Sequence, residues 1–231
     1  MTDDARDHLV LALDVGDLDA ALALAGRVQP WFSVAKVGYE LYAEAGPGAF
    51  DALRKKGFRV FADLKLHDIP TTVERGARAL GRLGVDFLNF HAAGGEPMLR
   101  AGVRGLREGA REAGHAQPIA LAVTVLTSDT NTDALEPRLQ VAANAGCDGV
   151  VCAGPDIPSA RAHALRTMVP GIRLPDGDAH DQVRVDTPGL AIGRGADWII
   201  LGRAVSAASD PALAAQQVTR DVAAALARAS G

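Results

Sequence analysis

Aromatic side chains make up only 4% of this 231-residue chain, and cysteine occurs twice. With bulky rings scarce and alanine abundant, the composition suits helices packed closely against a sheet. Cys147 and Cys152 lie in or beside apolar runs and lack CxxC spacing. They read as buried, reduced thiols of a cytoplasmic protein, not as a disulfide or metal framework. No apolar run approaches the roughly 20 residues of a membrane helix. The amino terminus, MTDDARDHLV, is charged where a signal peptide would be apolar. An excess of positive charge is missing too: 24 Lys and Arg against 28 Asp and Glu give −4. No bulk field therefore draws in nucleic acid or an anionic membrane, and any anion must be captured locally. Linkers and low-complexity tracts are absent, so 1–231 reads as one domain.

What the chain does have is a repeat of short apolar runs. They fall at 9–14 (LVLALD), 31–38 (WFSVAKVG), 85–91 (VDFLNFH), 118–127 (PIALAVTVLT), 149–153 (GVVCA), 169–173 (VPGIR) and 197–202 (DWIILG), with one more opening at Phe61. Helical patterns separate them. One covers 17–28 with Asp17 as N-cap, and others cover 46–57, 72–83 before Gly84, 96–113, and 135–145 before Gly146. Further helices are expected over 159–168 and, interrupted by Pro188 and Gly189, over 182–193. Asp210-Pro211 opens the last helix, with proline at its first position. Eight strands alternating with about eight helices over this length predict a (β/α)8 TIM barrel of α/β class. A doubly wound sheet fits less well, because no G-x-G-x-x-G follows an early strand.

One stretch concentrates the chemistry: FADLKLHDIPTTV, 61–73. Alternation along a strand sends Asp63 and Lys65 to one face, roughly 6–7 Å apart. Asp68 follows where Ile69-Pro70 ends the strand, and Thr71 with Glu74 reads as a capping box opening a helix. Acid, base and acid thus gather at the carboxyl end of a strand, where a barrel enzyme carries its reactive groups. A lone Asp-x-Lys is more often a salt bridge than a catalytic pair. The other strands argue against that, since they too end in polar groups: Asp14, Lys36, Asn89 with His91, Thr127, Arg173, and Gly202 with Arg203. Neighbouring strands bring Asp14, Lys36, Asp63 and Lys65 into one net of alternating sign, with acids ionised and lysines protonated. Lysines fill the places a cation would need, so no metal is expected. The seventh and eighth loops, with Arg173, Gly202 and Arg203, match the place where this fold holds phosphate. His67, His91 and His180 show no ligand spacing, and HExxH and EF-hand patterns are missing. His91 reads as a hydrogen-bonded residue at a strand end.

The segments ALDV, AKVGYELY, FADLKLHDIPTT, VDFLNFHAAGG, AVTVLTS, GVVCAG, VPGIR, HDQVRVDTP and ILGRAV occur in this order. Together they resemble the orotidine 5′-phosphate decarboxylase family in its shorter bacterial form. That resemblance implies a cofactor-free decarboxylase making uridine 5′-phosphate, the last step of pyrimidine nucleotide synthesis. It implies Lys65 as proton donor and Asp63 as the acid beside the substrate carboxylate. Asp14 and Lys36 would hold the ribose, and Thr127 would read the pyrimidine. Arg173, Gln182, Gly202 and Arg203 would grip the phosphate. Asp68, with Ile69 and Thr72 nearby, would come from the partner subunit of a homodimer. Two other functions remain open on the same residues. One is a metal-dependent sugar-phosphate decarboxylase or aldolase, and the other is a silent sensor of pyrimidine nucleotides.

Overall fold

The computed structural model describes residues 4–129, 131–174 and 186–229. The expected barrel is there. Parallel strands β1 (Leu9–Ala12), β2 (Val34–Val37), β3 (Arg59–Leu66), β4 (Phe87–His91), β5 (Ile119–Val123), β6 (Gly149–Val151), β7 (Arg166–Val169) and β8 (Trp198–Leu201) pair in order and close from β8 onto β1. The strands read as continuous apolar runs because both faces are covered. Leu9, Leu11, Ala35 and Val37 point out to the helix layer. Val10, Val34, Phe61, Phe87, Leu121, Met168 and Trp198 fill the interior. Phe87 packs edge-on against Phe61 and Trp198, with ring centroids 6.1 and 5.2 Å apart, which plugs the barrel and leaves its upper layer for other groups.

The helices are α1 (Leu18–Val28), α2 (Tyr39–Ala45), α3 (Gly48–Lys55), α4 (Pro70–Arg82), α5 (Gly95–Glu112), α6 (Leu135–Asn144), α7 (Ile157–Ala162), α8 (Pro188–Gly193), α9 (Arg203–Ser206) and α10 (Pro211–Ala229). Asp17 caps α1 as expected, accepting from the Ala20 N–H at 2.7 Å.

Four local expectations need correction. The Thr71–Glu74 capping box does not form: Ile69 is the N-cap of α4 and Pro70 its first residue, with no side-chain cap. Proline's fixed φ starts the helix earlier, and Glu74 pairs with Arg104 at 3.0 Å instead. The region 46–57 holds α3 alone, and α2, directly after β2, went unpredicted. The helix expected over 159–168 stops at Ala162; Ala164 turns at φ 57°, and the seventh strand, expected over 169–173, lies at 166–169 instead as β7. That strand is held by Asp197, whose Oδ2 accepts the Thr167 N–H at 2.9 Å, a contact with no local signature. Pro188 does not interrupt α8; it starts the helix after Thr187, the N-cap.

α4 and α5 lie against each other with almost no gap. A Cβ on Gly81 would strike the Leu106 carbonyl, one on Gly105 the Glu74 carbonyl, and one on Gly109 the Arg78 carbonyl. Ion pairs Arg78–Glu108, Arg104–Glu74 and Arg82–Glu112 border the seam. Alanine would gain helix propensity of about 1 kcal/mol at Gly109. Backbone on the far side cannot step aside as a side chain would, so the two helices must separate. We expect Gly109→Ala to be destabilising by about 2 kcal/mol net, read as a lowered midpoint in urea unfolding. An unchanged or raised midpoint would show that the seam is softer than its geometry implies.

Candidate active site

The inward columns of β1, β2 and β3 turn from apolar to charged as they rise. Val10 and Ala12 lead to Asp14, Val34 leads to Lys36, and Phe61 leads to Asp63. These side chains open into a cavity of about 460 Å³ at the carboxyl ends of the strands. Eight of the residues singled out in the sequence line it: Asp14, Lys36, Asp63, Lys65, Thr127, Arg173, Gly202 and Arg203.

The four charges form a ladder. Lys36 Nζ lies 2.9 Å from Asp14 Oδ1 and 3.2 Å from Asp63 Oδ2, and Lys65 Nζ lies 2.6 Å from Asp63 Oδ1. Gly38 leaves room for its lower end, since a Cβ there would come within 3.1 Å of Asp14 Oδ1 and 3.3 Å of Lys36 Nζ. Burial works against the Lys36 ammonium, but Asp63 and Asp14 overcome it and hold the pKa above its ordinary 10.5. Burial likewise opposes the Asp63 carboxylate, and Lys36, Lys65 and Asn89 hold its pKa below the ordinary 3.8. Both are charged throughout the neutral range.

These shifts link to stability. Asp63 stabilises the fold above its unfolded pKa, and the contribution is lost as pH falls through the depressed folded value. The Lys36 contribution is complete below its unfolded pKa and is lost as pH rises through the raised folded value. Lys36→Met removes one partner and leaves a carboxylate poorly compensated, at a cost of about 3 kcal/mol near neutral pH. Its stability should also fall less steeply on acidification, because without Lys36 the Asp63 pKa is less depressed and less stability is lost when it is protonated. Thermal midpoints measured across pH for both proteins check this; parallel curves would show that Lys36 and Asp63 are not coupled.

Alternation alone does not explain how Asp63 and Lys65 come together. β3 bulges against β4, and Lys65 sits in the left-handed region at φ 43°. Asn89 Nδ2 donates to Asp63 Oδ1 at 2.7 Å, and its Oδ1 accepts the Lys65 N–H at 2.7 Å. The Tyr39 hydroxyl donates to the Leu64 carbonyl at 2.8 Å. The sequence marked Asn89 only as one polar strand end, and gave Tyr39 no part. The available signal was an amide at an inward strand position beside the Asp-x-Lys pair.

On the other wall, Arg173 is buried to 9% exposure, and its backbone N–H donates to the Asp186 carbonyl at 2.9 Å. Gly202 has φ −107°, and a Cβ there would meet only Ala12 Cβ, at 3.7 Å. Packing does not require glycine at 202, but its ψ of −115° lies outside the regions open to residues with a Cβ. Gln182 and His180 lie outside the described residues.

Asp68, Ile69 and Thr72 do not join this cavity. All three are exposed, Asp68 and Ile69 on the β3–α4 connection and Thr72 in the first turn of α4, with Ile69 at 66%. The acid, base and acid adjacent in sequence therefore part company: two line the cavity of their own chain and the third does not. His91 stacks on His67 with centroids 5.3 Å apart and accepts the Ala93 N–H at 3.2 Å. Burial, with Arg138, His67 and Lys65, lowers its pKa below 6.5, in keeping with a neutral structural histidine. Among the described residues, no group of three or more His, Cys, Asp or Glu stands together as a metal ligand set. No described helix is long and apolar enough to cross a membrane.

Known proteins are similar to this chain over most of its length. Orotidine 5′-phosphate decarboxylase of Moorella thermoacetica is 41% identical, over 94% of this chain and 93% of that protein. The enzyme of the same name from Nitratidesulfovibrio vulgaris is 43% identical, over 94% and 98%. A crystal structure of orotidine 5′-phosphate decarboxylase from Lactobacillus acidophilus superposes with a TM-score of 0.76 at 33% identity, covering 93% of this chain and 98% of that one. An uncharacterized conserved protein from Geobacillus kaustophilus gives 0.77 at 29% identity, covering 93% and 99%. Residues 7–218 match the family described as orotidine 5′-phosphate decarboxylase / HUMPS. With that match spanning most of the chain, and relatives above 40% identity along nearly its whole length, this protein belongs to the orotidine 5′-phosphate decarboxylase / HUMPS family.

Proposed function

We propose that this chain decarboxylates orotidine 5′-phosphate to uridine 5′-phosphate, the closing step of pyrimidine nucleotide synthesis, without metal or organic cofactor. The observation that carries the reading is the Asp14–Lys36–Asp63–Lys65 ladder in a cavity that Arg173 and Arg203 also line. The bond between the ring carbon and its carboxylate breaks heterolytically, and carbon dioxide leaves. The electron pair stays in the ring plane, where no ordinary delocalising sink exists. The Lys65 ammonium stabilises that pair and then gives it a proton; water returns the proton to the amine. A unit charge at ~4 Å and an effective dielectric near 20 contributes about 4 kcal/mol, roughly a thousandfold in rate. Binding of the distant phosphate by Arg173, Gln182, Gly202 and Arg203 supplies more, by fixing the ring against the ladder. Asp14 and Lys36 hold the ribose hydroxyls, and Thr127 reads the pyrimidine.

The reading includes a homodimer in which a second copy supplies Asp68, with Ile69 and Thr72 at the join. Its support is their exposure outside their own cavity, together with the apolar surface of Ile69. A cytoplasmic location goes with it, since Cys147 and Cys152 are both buried thiols.

The test is an ultraviolet assay of orotidylate loss by purified, chelator-treated protein. Undiminished turnover is expected. Activity that needs added divalent metal would instead favour sugar-phosphate chemistry on the same scaffold. Uridylate binding without turnover would favour a sensor.

A further inference from the structure

β3 and β4 pair at Ala62 with Leu88 and again at Leu66 with Phe90. Three residues, Asp63, Leu64 and Lys65, therefore stand opposite Asn89 alone. The surplus backbone buckles, and Lys65 takes φ 43°, a conformation strained for any residue with a Cβ. Buckling takes two backbone groups out of the ladder, and each finds a side chain. The Leu64 carbonyl accepts from the Tyr39 hydroxyl, and the Lys65 N–H donates to Asn89 Oδ1. Asn89 then uses its other end: Nδ2 donates to Asp63 Oδ1, the same oxygen that receives Lys65 Nζ. The Asn89 side chain is fully buried, so water does not substitute for either bond. A carboxamide offers a donor and an acceptor in this spacing without adding charge at neutral pH.

We propose that Asn89 is a positioning residue for decarboxylation. One amide holds the backbone of Lys65 in its strained conformation and aims the Asp63 carboxylate, so that the ammonium is fixed before substrate arrives. The inference rests on the decarboxylase reading above. Fixing a charge in place, not merely supplying it, is what lets it act without reorganisation in the transition state.

The experiment compares the parent with Asn89→Ala and Asn89→Asp in full kinetics across pH, together with uridylate affinity by calorimetry. Losing hydrogen bonds to charged or backbone partners should lower kcat of Asn89→Ala about 10- to 100-fold. KM and uridylate affinity should stay within about threefold, because the proposed phosphate and ribose contacts lie on other strands. Asn89→Asp keeps the shape and so guards against a variant that fails to fold. Ionised, the new carboxylate cannot donate and repels Asp63; protonated, it restores both bonds. Its kcat should therefore rise as pH falls, along a limb the parent lacks. The inference is overturned if Asn89→Ala keeps kcat within threefold of the parent, or loses uridylate affinity in equal measure. It is also overturned if Asn89→Asp follows the parent's pH profile. A parent without decarboxylase activity would sink the underlying reading, and a fully active parent with insensitive variants would sink this inference alone.

Discussion

Lys65→Ala is expected to lose at least about a thousandfold in decarboxylation while the protein stays folded. The rate estimate follows from the single charge removed beside the reacting carbon, and loss of the proton donor adds to it. The fold should tolerate the change because Asp63 keeps Lys36 at 3.2 Å and Asn89 at 2.7 Å. Alanine at φ 43° is strained much as lysine is, so the bulge itself gains no new cost. Stability should move by less than about 2 kcal/mol. Lys65→Arg divides the two roles: it keeps the charge, but a guanidinium cannot release its proton near neutral pH. We expect it to be nearly as inactive as the alanine variant. Turnover within tenfold of the parent in Lys65→Ala, with uridylate still bound, would remove Lys65 from the chemistry.

Arg203→Ala is the second large effect. A guanidinium gripping phosphate makes one or two charge-assisted hydrogen bonds, together worth about 3–4 kcal/mol. The expected loss in kcat/KM is roughly 100- to 1000-fold. The loss should be confined to substrates carrying the phosphate. Orotidine without phosphate should react equally slowly with parent and variant, because Arg203 then has nothing to hold. An equal loss on both would mean that Arg203 shapes the cavity instead of binding the anion. Arg173 is a poorer probe, since its buried guanidinium also donates to the Ile172 carbonyl at 3.1 Å and its removal would disturb the loop.

The barrel was legible because its cause is repetitive. Each strand must be apolar on both faces and each helix on one, so the pattern recurs eight times and local errors do not erase it. The errors fell where a tertiary contact overrode local preference. At 159–168 the chain pattern suits a helix, but the barrel needs a strand there and Asp197 pins it at Thr167. At Thr71 the capping signal was present, yet Pro70 began the helix two residues earlier and Arg104 claimed Glu74.

By itself the sequence determined the eightfold alternation and the charged residues that end the inward columns, from Asp14 to Arg203. Both are written in the order of residues along single strands. Only the tertiary structure decided how the columns meet: which lysine faces which acid, that Asp68 does not line the cavity of its own chain, and that Asn89 braces the bulge behind Lys65. Those outcomes depend on register between strands far apart in the chain, and a two-residue surplus in β3 changes every neighbour above it.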